Sequence, residues 1–229
     1  MLKFLGRGAA FTKSQNSACF TDGDALVLID CAMSAFHVLL EQGITQKQIY
    51  VLVTHTHGDH VGGIPMLIHC ARYVSGAHVT VIAPSQEVAE DLDYLIRRLD
   101  GCDQSAYTII TADAAGLPWL IGTVPVRHAE TLAGRCFGYR LRIGGTDVLY
   151  TGDTSELEPF LPYLHAGAYL YTEAACFDSG VHLYIDRVLP TLKRLCAEGV
   201  HVYLMHMDDE AQMAEKISGT AIEFAPLVS

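Results

Sequence analysis

Along the chain, short apolar runs alternate with stretches in which apolar residues return every three or four positions. The runs "ALVLID", "IYVLVT", "VTVIA", "TDVLYTGD", "AYLYTE" and "HVYLMH" are rich in Val, Ile, Leu and Tyr, and their length and composition predict strands. Between them, Ile64, Leu67, Ile68 and Ala71 fall on one helical face, as do Val88, Leu92, Leu95, Ile96 and Leu99, and again Ile185, Val188, Leu189, Leu192 and Cys196. Each stripe is expected to face a core. Gly43, Gly76, Gly101 and Gly199 follow the predicted helices, where a C-terminal cap favours glycine. Strand and helix alternate without long linkers, sequence repeats or low-complexity tracts, which predicts an α/β protein organised as one domain over residues 1–229.

Several predicted strands end in residues that bind or orient metals: "LVLID" in Asp30, "VLVTHTH" in His55 and His57, "VLYTGD" in Asp153 and "VYLMH" in His206. Such convergence points to a cleft at the strand ends. In "THTHGDH", side chains alternate along the extended chain, so His55 and His57 point the same way and can share one ion. Gly58 is expected to permit a sharp turn that brings Asp59 and His60 to a second position, just before a helix starting near Gly62 and Gly63. Two divalent ions about 3.5–4 Å apart can activate a bridging water and clamp a substrate oxygen. His128 in "VRHAET", Asp153 in "YTGDTS" and His206 in "YLMHMDD" complete a set of seven N and O ligands: His55, His57, Asp59, His60, His128, Asp153 and His206. That set suits zinc first, and manganese or iron less selectively. Asp153 is the natural bridge, and Asp30 is cast as the group holding a ligand histidine in its tautomer.

Composition narrows the partners. Half of the 229 residues are hydrophobic and 18% are charged, enough for a substantial core. The net charge is −11 with Lys and Arg dispersed, so no footprint for a long nucleic acid appears, and a small anionic substrate is expected instead. "IRRLD", the densest basic point, reads as the solvated face of a helix. No run approaches the roughly 18 apolar residues of a membrane span. Gly6, Arg7 and Gly8 interrupt "MLKFLGRGAAF" as a signal peptide, and the seven scattered cysteines contain no C-x-x-C pair; a cytoplasmic protein with reduced thiols is expected.

The pattern H-x-H-x-D-H, followed by separated His, Asp and His, resembles the metallo-β-lactamase superfamily. The likeness runs in order from "LVLIDCA" to "VYLMH". It implies a four-layer αββα sandwich with a dinuclear site at one edge of the sheets. Asp153 stands where the antibiotic-hydrolysing members carry a cysteine, and the first motif lacks the Glu and Asp pattern of the di-iron flavoproteins. Hydrolysis of a phosphodiester, ester or thioester is therefore expected.

Two stretches resemble the ribonuclease Z branch. "FLGRGAAFTKSQNSACF" has its opening strand, Gly-Ala turn and Asn-Ser pair, and "TEAACFDSGVH" is similar to its His-Glu-Ala-Thr and His-Ser-Thr segments. On this match Glu173 and His182 take the positions of the glutamate and the second histidine. Thr172 replaces the first histidine, and Leu183 and Tyr184 replace the Ser-Thr. The resemblance implies His182, oriented by Glu173, as the proton donor to a leaving alkoxide, with Asp59 taking a proton from the attacking water. Ribonuclease Z enzymes carry a flexible arm that grips tRNA. No Gly/Pro-rich basic excursion occurs between Asp153 and His206, so a compact or cyclic phosphodiester is favoured over tRNA 3′ processing. A glyoxalase II-like thioesterase or lactonase is the alternative, and a non-catalytic metal-binding subunit the reading from another class. By analogy with the same branch a homodimer is expected, through helices near residues 33–41 and 63–74.

Overall fold

The structure, a computed structural model, describes residues 1–228. The chain contacts divide it into two compact units, one of Leu2–Arg7 and Lys13–Gly116 with Leu227, the other of Gly8–Thr12 and Leu117–Pro226.

In the first unit, β1 (Lys3–Gly6), β2 (Ser17–Asp22) and β3 (Ala25–Ile29) pair antiparallel; β4 (Gln48–Leu52), β5 (His78–Ala83) and β6 (Tyr107–Thr111) then add in parallel, each beside the last. Parallel neighbours need long crossovers. These are α1 (Met33–Gln42), the single turn α2 (Gly58–Val61) with α3 (Ile64–Cys70), and α4 (Gln86–Asp93). Strands of such a sheet read as unbroken apolar runs, and Val27–Ile29, Val51–Val53 and Val81–Ala83 are all buried.

The α3 stripe is core as expected, with Ile64, Leu67, Ile68 and Ala71 fully buried. The α4 stripe holds for Val88, Leu92 and Ile96, but Leu99 is 63% exposed. Beyond α4 the chain winds more widely through Tyr94–Leu99, with Asp100 N–H donating to the Leu95 carbonyl at 3.1 Å, five residues back. More residues per turn carry the stripe off the core face.

The second unit repeats this topology. Antiparallel β7 (Leu120–Pro125), β8 (Phe137–Ile143) and β9 (Thr146–Tyr150) are followed by parallel β10 (Tyr169–Glu173), β11 (His201–Met205) and β12 (Glu223–Phe224). A 3₁₀ segment, Glu158–Tyr163, leads into β10, while α5 (Ile185–Ala197) and α6 (Glu210–Ile217) precede β11 and β12. On α5, Ile185, Val188 and Leu192 are buried and Leu189 and Cys196 half-buried. Each full burial of such a side chain stabilises by about 1.5–3 kcal/mol. Among the described residues no helix is long and apolar enough to cross a membrane.

Candidate metal centre and active site

In both units the chemistry-bearing residues lie at or just past the carboxyl ends of strands: Asp30 after β3, His55 and His57 after β4, Asp153 after β9, Glu173 at the end of β10 and His206 after β11. Ligand sites in open α/β sheets favour this end. Asp30 and His206 share a further feature. They are the described non-glycine residues with positive φ, at 59° and 49°. A left-handed backbone at a non-glycine residue costs about 1–3 kcal/mol and persists only where surrounding bonds hold it.

Those bonds are visible in the first unit. Asp30 is fully buried. Its Oδ1 accepts Thr54 N–H at 2.8 Å, and its Oδ2 accepts both the Thr54 hydroxyl and His60 Nδ1–H at 2.8 Å. Since the Thr54 proton goes to Asp30, the Thr54 oxygen accepts from His55 Nδ1 at 3.0 Å. One carboxylate therefore sets two histidine tautomers, His60 directly and His55 through Thr54, leaving Nε2 of each with its lone pair.

His55 Nε2 then lies 3.0 Å from His57 Nδ1. Two lone pairs so close repel unless a proton or a cation lies between them. Nitrogens on a tetrahedral zinc, each about 2.0–2.1 Å from it, sit roughly 3.4 Å apart, so a slight opening seats an ion. The residues present fit a divalent metal. Asp59 Oδ2 is 3.3 Å from His60 Nε2, and both residues ride on α2.

The geometry corrects the expected role of Gly58. It has an ordinary φ, and an added Cβ would meet nothing within 4 Å. The turn is made by His57, in extended conformation as the N-cap of α2. The glycine that matters is Gly63, where a Cβ would run into the Ala32 carbonyl oxygen. Its absence lets Gly63 N–H reach the Cys31 carbonyl at 2.8 Å, while Cys31 N–H donates to the His60 carbonyl at 2.7 Å. These bonds hold His60 against Asp30. Thr54 and Gly63 lie within or beside the histidine motif, yet only their contacts reveal their parts.

In the second unit, His128 Nδ1–H donates to the Val181 carbonyl at 2.9 Å, so Nε2 keeps its lone pair. That nitrogen is 3.8 Å from Asp153 Oδ2, and His206 Nε2 is 3.3 Å from the same oxygen. Glu173 is fully buried; its Oε1 accepts Thr154 N–H at 2.5 Å, and its two oxygens lie 2.9–3.0 Å from His182 Nδ1. Glu173 thus ties the segment carrying Asp153 to His182. The His182 ring stands 4.9 Å from that of His128 and 5.3 Å from that of His206. Ligand atoms of His128, Asp153 and His182 lie within 4.8 Å of one another.

Four of the five remaining histidines have other engagements. His78 bonds Thr108 at 2.9 Å and His165 bonds Asp147 at 3.0 Å. His69 lies 3.5 Å from the Cys102 sulfur and His201 stacks on Tyr169.

The family model described as Anti-Pycsar protein Apyc1 matches residues 1–226. The chain belongs to the Apyc1 family. Within it, the Anti-Pycsar protein Apyc1 of Bacillus phage BSP38 is 28% identical over 234 residues, covering 92% of this chain and 90% of the relative. Among solved structures, the metallo-β-lactamase fold protein YhfI from Bacillus subtilis superposes with a TM-score of 0.77 at 18% identity, covering 98% of this chain and 95% of that one. Human tRNase Z, short form, superposes with a TM-score of 0.69 at 17% identity, covering 100% and 97%. The fold of this Apyc1-family chain is the metallo-β-lactamase fold, and its likeness extends to the ribonuclease Z branch.

Proposed function

We propose that the chain is a metal-dependent phosphodiesterase that hydrolyses a small or cyclic phosphodiester. The observation that carries this reading is the Glu173–His182 pair, a buried carboxylate holding Nδ1–H of a histidine whose ring lies beside both His128 and His206. Thioester cleavage has less need of such a donor, because a thiolate leaves unprotonated whereas an alkoxide leaving from phosphorus requires a proton as the bond breaks. Membership of the Apyc1 family and the ribonuclease Z-like fold support phosphate chemistry.

The proposed metal ligands are His55, His57, Asp59, His60, His128, Asp153 and His206, with two zinc ions as the first choice. Bound divalent ions supply positive charge for the phosphoryl oxygens and acidify the attacking water. The chain's own residues do the rest. Asp59 accepts the proton of that water. His182 delivers a proton from Nε2 to the leaving oxygen, and Glu173 keeps its ring oriented. Asp30 and the Val181 carbonyl keep histidine Nε2 atoms unprotonated for ligation. The whole chain, residues 1–229, acts as one hydrolase domain. A cytoplasmic setting accords with seven cysteines that are all free thiols. A homodimer is proposed through α1 and α3, which carry exposed Met33, Leu40 and Met66, with Tyr73 and Val74 just beyond; sedimentation at micromolar concentration tests it.

The test of the activity is a screen of metal-loaded protein on bis(p-nitrophenyl) phosphate and cyclic nucleotides, beside thioesters and lactones. Cleavage of phosphodiesters that collapses in His182→Ala is expected. Activity confined to thioesters or lactones, and indifferent to His182, would overturn the reading in favour of a glyoxalase II-like or lactonase enzyme. Metal-loaded protein inert on every class would make it a binding subunit.

A further inference from the structure

Beside His182 and His206 the second unit contains a feature that proton transfer does not need. A cavity of about 180 Å³ opens there, and Phe11, Phe177, Ala9 and Ala175 line it together with the two histidines. Phe11 is fully exposed and Phe177 is 57% exposed. Neither ring contributes to the core.

Both are nevertheless held from behind. Ala9 N–H donates to the Met207 carbonyl at 2.9 Å, and Thr12 closes a turn onto the Ala9 carbonyl through its N–H at 3.0 Å and its hydroxyl at 2.8 Å. Phe11 sits inside that turn. On the other side of the sequence, Cys176 N–H donates to Asp208 Oδ1 at 2.9 Å, and Ala175 N–H to the Leu183 carbonyl at 2.8 Å. The two phenylalanines are thus anchored to the residues immediately following His206, from sequence positions more than a hundred and sixty residues apart. An exposed aromatic ring on an anchored stretch of backbone offers its π face to a ligand.

We propose that Phe11 and Phe177 determine specificity by forming a stacking pocket for the aromatic heterocycle of the substrate. The natural occupant is the base of a nucleotide whose phosphate end is handled beside His182. The inference rests on the phosphodiesterase reading for that phosphate end. It stands on the cavity and its two rings for the aromatic end. Thr12 and Asp208 also line the wall, but the Thr12 hydroxyl is given to the Ala9 carbonyl and Asp208 Oδ1 accepts Cys176 N–H, which makes stacking, rather than an edge-on hydrogen-bond code, the source of the preference.

The test compares a 3′,5′-cyclic nucleotide with the base-free methyl riboside 3′,5′-cyclic phosphate on metal-loaded, full-length protein. Stacking losses on alanine substitution predict that Phe11→Ala and Phe177→Ala each lower the preference for the nucleotide, as a ratio of kcat/KM values, by roughly 5- to 150-fold, chiefly through KM. Phe11→Tyr and Phe177→Tyr, which keep the ring, should restore it. An unchanged ratio in both alanine variants would overturn the pocket. Calorimetric binding of adenosine monophosphate against ribose 5-phosphate separates this failure from that of the activity itself. If wild-type protein cleaves neither cyclic substrate, the phosphodiesterase reading falls. The pocket then stands if the nucleotide binds more tightly and the alanine variants erase the difference, and falls if the two ligands bind alike.

Discussion

Asp30→Asn is the most informative single change, because it alters no volume and leaves a residue type that tolerates the left-handed backbone at this position. The Thr54 N–H must still find an oxygen, so the amide carbonyl turns toward it. The amide NH₂ then faces the Thr54 hydroxyl and His60 Nδ1, both of which donated to Oδ2 in the parent protein. Two changes follow. His60 must shift its proton to Nε2 to accept from the amide. The Thr54 hydroxyl, now an acceptor of the amide, turns its own proton to His55 Nδ1, which drives the His55 proton to Nε2 as well. Both ligand nitrogens are thereby blocked by one isosteric substitution. Loss of charge-assisted bonds inside the core costs about 1.5–3 kcal/mol each, and the partial replacement described here places the net loss at roughly 2–3 kcal/mol. For a chain of this size that lowers the melting temperature by about 2–4 °C per kcal/mol. Metal affinity should fall about 10- to 100-fold, the usual effect of removing a group that orients a ligand. Calorimetric melting in excess chelator reads the first effect, and competition for zinc with a chromophoric chelator reads the second. A variant that loses stability but binds zinc as tightly as the parent would refute the tautomer argument.

Three further outcomes follow from the geometry. Gly63→Ala should destabilise by about 1–3 kcal/mol or more, because its Cβ meets a backbone carbonyl that cannot swing away; Gly58→Ala, in open space at the start of a helix, should be neutral or gain up to about 1 kcal/mol, and equal melting shifts for the two would refute this. Glu173→Gln and His182→Ala should each reduce kcat on a phosphodiester by about 10²- to 10⁴-fold, with the double variant little worse than the more severe single; multiplicative losses would mean that the two do not act as a unit. Burial, reinforced by the Asp30 charge, pushes the Cys31 thiol up to about 12, so iodoacetamide at neutral pH should label Cys31 only after denaturation, and rapid labelling of native protein, read by peptide mass spectrometry, would contradict that.

The strands that carry the proposed ligands were legible in the sequence because the physics that marks them is local. A short apolar run announces a buried strand, and all six strands expected from such runs are present; a His, Asp or Glu at or just past the end of five of them marks the candidate site. The β7 and β8 hairpin was not legible, since Gly122, Pro125, Arg140 and Arg142 dilute its apolar pattern and cross-strand pairing alone sustains it. Leu99 departs from its stripe for a related reason: the periodicity assumes one helical pitch, and the hydrogen bonding beyond Tyr94 follows another.

What the sequence determined by itself is therefore the α/β class, the order of the strands that carry the candidate site, and the His, Asp and Glu residues proposed for it, Glu173 and His182 among them. Tertiary structure decided which nitrogen of each histidine is presented. That choice belongs to whatever accepts from the other nitrogen: Asp30 for His60, Thr54 for His55, the Val181 carbonyl for His128 and Glu173 for His182. Most of these acceptors lie from nine to more than fifty residues away, and one is a backbone oxygen with no residue signature. The same holds for Phe11 and Phe177, ordinary apolar residues in the sequence, which become a pair only because both chain segments bond to the turn after His206.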